Sequence, residues 1–439
     1  MKNRIYLVVV TMLLLFSSTN TLAQKKELRG IWLTNVASTV MNSDKGIADA
    51  MDLLARSGFN VVFPVVYNDG YTLYPSKVMQ DLFGTPIYPA SFFQNRDPLA
   101  IIIREAHRNG MEVIPWFEYG FADQYGDSVS HIVNKFPEWR ARDSKGKALV
   151  KNSFYWLNGI NPQVQDYMLS LMMEVVRNYD IDGIQGDDRF PAQPIEGGYD
   201  AYTIQLYKSE NNGAEPPKNN TVQWQQWRAG KLNAYFKRVR DSVKAVSPHL
   251  IISSAPSQYP WGYNEYLQDA KTWLEQGTID NFIPQLYRYN LSGYLGEVSA
   301  VYNYLPTNKR DIFFPGILAK VGSYTIDVPY FASAITENRK RNINGETYFF
   351  YEALRARDSL ADTLKNFFYK ERALLPYRGG FERRPKSIIL QDSTASNVLT
   401  GSWTYQAASP GFVLGSYWNM TSTTYSSLEY KLDVPADGW

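Results

Sequence analysis

A chain of 439 residues with 44% hydrophobic side chains can bury one large core or two ordinary ones and is too apolar for disorder. The absence of cysteine excludes a disulfide scaffold, a thiol nucleophile and Cys-ligated zinc or iron–sulfur sites, and three histidines leave little for other metal chemistry. With 45 basic against 43 acidic residues and no long run of one sign, neither nucleic acid nor an anionic membrane is the expected partner.

The first 23 residues have the pattern of an export signal: Lys2 and Arg4, an apolar run over 5–16, then Thr21-Leu22-Ala23 as a small-residue cleavage site. That run is too short for a comfortable membrane span, so a cleaved, exported protein without a span is expected. Beyond it, short runs rich in β-branched and aromatic residues alternate with amphipathic stretches. The runs predict strands at 29–35, 60–67, 112–118, 183–187, 250–255, 281–287, 311–317 and 347–351. Between them, helices are predicted at 46–56, 98–109, 162–179, 224–246, 265–276 and 330–342. Gly58 and Gly110 stand where a left-handed stop ends a helix before the next strand. Eight such units imply an α/β fold of the (β/α)8 TIM barrel type. No GxGxxG or GxxxxGK[ST] follows the first strand, which argues against an open nucleotide-binding sheet.

In such a barrel, residues at the carboxyl ends of strands carry the chemistry. That rule selects Trp32 and Asn35, Tyr67 with Asn68 and Asp69, Trp116 with Glu118 and Tyr119, and Asp187 with Asp188 and Arg189. Further round it selects Ser254 and Ser257, Gln285 with Tyr287 and Arg288, Lys320, and Tyr351 with Glu352. Asp180, Asp182 and Asp280 precede their strands and are expected to serve as caps and turn residues. Adjacent Asp187 and Asp188 closing a buried strand repel each other and resist desolvation, which marks them as functional candidates. Glu118 similarly closes an aromatic strand, whereas Glu352 can also be read as an ordinary first-turn acid of a helix.

Aromatics at strand ends suit the apolar faces of sugar rings, with Asn, Gln and Arg for the hydroxyls. Trp32, Asn35, Tyr67, Trp116, Tyr119, Arg189, Gln285 and Tyr287 are therefore the expected substrate contacts. Cleaving an acetal needs a proton for the leaving oxygen and a second carboxylate as nucleophile or base. Asp187 is the expected ionised partner, aided by Asp188, with Glu118 or Glu352 as the acid; the spacing leaves the pair open. No metal or cofactor is expected, because His107 lies in a helix, His131 begins one and His249 precedes a strand at the wrong end. A serine hydrolase lacks its GxSxG elbow here. A non-catalytic glycan-binding barrel, or a hydrolase of another extracellular polysaccharide, is the alternative.

Four ordered motifs carry a resemblance: Leu28-Arg29-Gly30-Ile31-Trp32, Trp156-Leu157-Asn158 with Asn161-Pro162, Asp182-Gly183-Ile184 running to Asp187-Asp188, and Pro284-Gln285-Leu286-Tyr287-Arg288. Over about residues 25–375 the chain resembles the bacterial glycosyl hydrolase-like 10 family. The resemblance implies a barrel enzyme exported to the periplasm or cell envelope that hydrolyses glycan strands, with peptide-free peptidoglycan as the leading substrate. The Asn158-Gly159-Ile160-Asn161 loop departs from the family pattern, in which a proline comes sooner.

The domain boundaries expected are a signal at 1–23, the barrel at 24–375, a linker at 376–392 and a β segment at 393–439. Trp403, Phe412 and Tyr417-Trp418 lie in strand-like stretches resembling the opening of a golvesin C-terminal β-sandwich. A sandwich takes about 100 residues, so this one is expected to be partial.

Overall fold

Each short apolar strand is followed by a helix that carries the chain back to the same end, so successive strands lie parallel. The computed structural model describes residues 25–126 and 129–378, with the stretches 398–401, 403–406, 416–418 and 426–430. The expected signal at 1–23 and most of the expected linker lie outside the described residues.

The barrel strands are β1 (Leu28–Leu33), β2 (Val61–Pro64), β3 (Glu112–Val113 and Trp116–Phe117), β4 (Gly183–Gly186), β5 (Ile251–Ser254), β6 (Asn281–Phe282), β7 (Gly316–Leu318) and β8 (Gly345–Phe349). Neighbours pair in parallel from β7 through β8, β1 and β2 to the first half of β3. The second half of β3 continues through β4 and β5 to β6. Single parallel bridges, Phe282 with Phe313 and Gln285 with Gly316, close the seam between β6 and β7. The expected eight-stranded barrel is therefore the observed one. Prolines explain its breaks, since Pro115 and Pro284 have no N–H for the ladder.

Three of the differences from expectation have a clear local cause. The strand expected at 311–317 begins later, because Thr307–Ile312 winds into a 3-10 turn on a polar Asn-Lys-Arg-Asp stretch. The last strand lies two residues earlier than 347–351. Its first residue, Gly345, has φ +124°, and a Cβ there would meet the Leu28 carbonyl oxygen at 1.9 Å, so a residue that looks like a breaker is required for the pairing with β1. The helix expected at 265–276 is two short ones, Trp261–Tyr266 and Ala270–Glu275, because Leu267 turns left-handed and Asp269 caps a new start.

Polar groups at the amino end of the barrel are structural, as read from their positions. Asp182 accepts from the Val113 N–H at 2.8 Å and faces His107 Nε2 at 3.1 Å, while Asp280 accepts from the Ile252 N–H at 2.8 Å. Buried Glu112 binds Arg378 at 2.6 and 3.0 Å and Tyr377 at 3.1 Å. The barrel's own contacts thus extend past residue 375, into the first residues of the stretch expected to be a linker. A cavity of about 930 Å3 at this end, lined by Arg29, Asn60, Glu112 and Tyr369 among others, lies opposite the strand ends that carry the acids.

In the tail, Val398–Thr400 pairs antiparallel with Ser427–Glu429, and Thr404–Gln406 with Ser416–Trp418. Phe412 lies outside the described residues.

Candidate active site

The ends of β3 and β4 converge on Arg189. The chain leaves β4 through Asp187 and Asp188, and the Arg189 N–H returns to Asp187 Oδ1 at 2.9 Å, forming a tight turn. The Arg189 guanidinium then lies 3.1 Å from Asp187 Oδ2, 3.3 Å from Glu118 Oε1 and 3.4 Å from Asp188 Oδ1. Its Nε donates to the Glu118 carbonyl at 3.0 Å. The approach of the β3 and β4 loops depends on Gly120, where a Cβ would meet the Arg189 carbonyl oxygen at 2.3 Å. Below the turn, Gln268 Nε2 donates to the Asp187 carbonyl at 2.9 Å and its Oε1 accepts from the Ser257 N–H at 3.1 Å, tying β4 to the loop after β5.

The three acids differ in exposure: the Asp187 side chain is 1% exposed, Glu118 14% and Asp188 29%. Burial pushes the Asp187 carboxyl well above its ordinary value against the pull of Arg189, and the charges of Asp188 and Glu118 push the same way. Glu118 is also raised by burial, with Arg189 and an Asn68 amide pulling it down. That amide, Nδ2, donates to Glu118 Oε2 at 2.5 Å. Burial thus drives both Asp187 and Glu118 toward holding a proton, while Asp188 is the most exposed of the three.

Other expected site residues divide into two groups. Tyr119 lines the site, with the Arg189 guanidinium 5.5 Å over its ring, and Phe154 flanks the same cation at 5.0 Å. Tyr287 stacks on Phe349 at 5.3 Å, and its phenol is raised by burial and by the charges of Asp188 and Asp187. Gln285, half-buried beside it, donates to the Ala255 carbonyl at 3.1 Å. Asn35 is half-buried at the end of β1, and its Oδ1 is enclosed without a hydrogen-bond partner.

Trp32, Trp116 and Tyr67, expected as stacking platforms, are interior instead. Trp32 is 1% exposed and donates to Gln185 Oε1 at 2.7 Å in the middle of the barrel. Phe63, Trp116 and Phe349 surround it within 6.4 Å between ring centres. Trp116 is 2% exposed, and Tyr67 is fully buried against Tyr167. In a barrel of this size the inward positions must be filled, and rings satisfy that need with one another. Glu352 stands apart: Ser38 donates to its Oε1 at 2.6 Å and Arg355 at 3.1 Å, and it opens a helix, so the structure gives it the role of an ordinary first-turn acid.

The strand-end rule selects Asn68 without giving it a role, whereas Gln268 and Phe154 are not singled out by the sequence. For Asn68 a signal existed, since a polar residue follows Tyr67 at the end of β2. Gln268 gave none, because it sits between two short helices far from any strand end. Among the described residues no group of three or more His, Asp or Glu side chains could hold a metal ion, and no helix is long and apolar enough to cross a membrane.

Clustered acids above a closed parallel barrel, two raised by burial and a third partly exposed, define a glycoside hydrolase. The chain belongs to the glycosyl hydrolase-like 10 family, whose sequence profile matches residues 27–326. It is 24% identical over 422 residues to glycosyl hydrolase YngK of Bacillus subtilis, covering 85% of this chain and 79% of that one. It is 28% identical over 311 residues to glycosyl hydrolase DigH of Escherichia coli K12, covering 61% and 67% respectively. Among solved structures, the PgaB (BpsB) glycoside hydrolase domain of Bordetella bronchiseptica superposes with a TM-score of 0.59 at 11% identity, covering 77% of this chain and 98% of that one. The catalytic domain of the Paenibacillus polymyxa beta-amylase gives 0.54 at 11% identity, with 80% and 100% covered. These two likenesses speak for the barrel fold.

Proposed function

We propose that the protein is an exported hydrolase of cell-envelope glycan, and that its substrate is peptidoglycan glycan strands stripped of their peptides. The observation that carries the chemistry is the single guanidinium of Arg189 shared by Glu118, Asp187 and Asp188. Glu118, its proton favoured by burial, gives that proton to the glycosidic oxygen as the bond to the anomeric carbon breaks. Asp188, the most exposed of the three, meets the developing positive charge on the sugar as nucleophile or as base for a water. Asp187, with both oxygens on Arg189, holds the cation in place between the other two. This assignment gives Asp187 a positioning role and moves the substrate-facing role to Asp188. Tyr119 and Tyr287 supply ring faces for the sugars, and Gln285 and Asn35 its hydroxyl contacts. Family membership and the signal-like first 23 residues support the choice of polymer and compartment.

The test is to incubate the purified protein with peptide-free strands and with peptide-bearing peptidoglycan. New reducing ends from the first at a much higher rate than from the second support the reading. Cleavage of unrelated polysaccharides alone would replace the substrate, and no cleavage of any glycan would favour a binding barrel.

A further inference from the structure

The end of the barrel opposite the acids holds a feature that the reaction does not use. The cavity of about 930 Å3 there is walled by six Arg and Lys side chains and, among the described residues, by one acid, Glu112. A chain with 45 basic and 43 acidic residues is balanced on average, so this gathering of one sign is local. Two of the six cations are already paired. Arg29 is buried against Glu27 at 2.8 Å and lies over the Tyr369 ring at 4.3 Å. Arg108 pairs with Glu105 at 2.8 Å and with Asp52. Glu112 in turn is taken by Arg378, at 2.6 and 3.0 Å, so it offers the other cations little. Arg372 crosses over Gly110, where a Cβ would lie 3.5 Å from its Nη2.

The remaining three differ. Arg56, Lys365 and Lys370 are exposed and have no ion pair among the described residues. Arg56 closes the helix Asp44–Arg56, where a cation suits the helix dipole, and that alone would explain it. The same reading covers Lys365, in the turn Leu364–Phe368, but not Lys370 or Arg372, which lie beyond that turn. Glu371, between those two, does not line the cavity. Arg56 and Lys370 stand more than 300 positions apart in the chain, and the closing of β8 onto β1 brings them round one hollow. Like charges facing each other across a concave wall repel, and they focus positive potential into the space between. An anion placed there relieves that repulsion. Phosphate suits the donors best, since it carries more than one charge in a small volume and three oxygens for guanidinium and ammonium groups.

We infer that this cavity is a binding site for a phosphate-bearing anion, taken as a free polyphosphate or as the phosphomonoester headgroup of a lipid, with Arg56, Lys365 and Lys370 as its direct contacts. Because the cavity lies opposite the strand ends that carry the acids, a bound anion holds the barrel with its acid cluster turned away. The site shares no residue with the acid cluster and does not rest on the glycan reading above.

Two binding measurements test it at low salt, where such contacts are least screened: calorimetric titration with tripolyphosphate, and co-sedimentation with phosphatidylcholine vesicles with and without phosphatidic acid. The cavity variant combines Arg56→Gln, Lys365→Gln and Lys370→Gln. A control combines Lys145→Gln, Lys147→Gln and Lys218→Gln, which removes the same charge from exposed positions outside the cavity. All three proteins should melt alike. The control should bind within about twofold of the wild type, and the cavity variant roughly tenfold more weakly or worse. Tripolyphosphate binding without vesicle binding assigns a soluble ligand. Vesicle binding that needs phosphatidic acid and is displaced by tripolyphosphate assigns a headgroup, and either result supports the site. Equal loss in the two triple variants would reduce the effect to net charge and overturn the inference, as would unchanged binding in the cavity variant or a wild-type protein that binds neither probe.

Discussion

Arg189 and Glu118 are joined twice, through Nε to the Glu118 carbonyl at 3.0 Å and through Nη2 to its carboxylate at 3.3 Å. The first bond fixes where Glu118 stands, and the second lowers the energy of its charged form. Position and acidity of the proposed proton donor therefore depend on one side chain.

Replacing that side chain should affect both. In Arg189→Met, Glu118 and Asp187 lose the cation that opposes their burial, so their carboxyls rise further. Activity should fall by at least about 100-fold, and what remains should keep its basic limb to a higher pH. Arg189→Lys should rescue little, because an ammonium cannot span three carboxylates as a planar fork does. Profiles of kcat/KM against pH for the three proteins decide this, and a lysine variant with near wild-type activity would contradict it.

The roles of Glu118 and Asp188 separate by leaving group. Glu118→Gln should lose most turnover of natural glycan, by about 100-fold or more, yet recover on aryl glycosides whose leaving group needs no proton. Asp188→Asn should be as inactive on the aryl substrate as on the natural one. Equal recovery in both variants would put the acid elsewhere.

Asn68 tunes Glu118 from the neighbouring strand end. Asn68→Ala removes a 2.5 Å bond to the Glu118 carboxylate, which favours its charged form, so the Glu118 carboxyl should rise. The basic limb of the pH profile should move upward, with kcat changed by about tenfold or less. A profile that keeps its shape would show that Asn68 only packs.

At the opposite end, Glu112 is pushed up to about 7, by burial first and by Asp182 next, against the opposing pull of Arg378. A carboxyl raised above its unfolded value stabilises the fold most at low pH, and that contribution is lost as pH rises from about 4.5 through about 7. Arg378→Met removes the opposing cation, so it should destabilise little at pH 4 and by about 3 kcal/mol at pH 8. A chain ended at Leu375 should behave like this variant, and one ended at residue 392 should melt like the wild type. Thermal melts at both pH values check this, and a pH-independent loss would contradict it.

The barrel was legible because its signals are local: apolar runs, glycine stops and capped helices recur with a steady rhythm. Asp187-Asp188-Arg189 was legible for a related reason, since charges closing a buried run are anomalous on sequence alone. Gly345 misled because the carbonyl that requires a glycine there belongs to Leu28, more than 300 positions away in the chain. Trp32 and Trp116 misled because a strand-end ring looks the same in sequence whether it faces the groove or, as here, fills the barrel with Gln185 and Phe349. Glu352 stayed open in the sequence because a strand-end acid and a first-turn helix acid occupy the same position when the loop between them is short. The Asn68 bond to Glu118 spans fifty residues, and only the closing of β2 onto β3 brings the two together.

The most direct test of the account is reducing-end release from peptide-free glycan strands by wild-type, Glu118→Gln and Asp188→Asn proteins, all first shown to melt alike. The account predicts steady release by the wild type and about 1% of that rate or less from either variant. Either variant retaining more than about a tenth of wild-type activity, or a wild type that binds the strands and releases nothing, would contradict it.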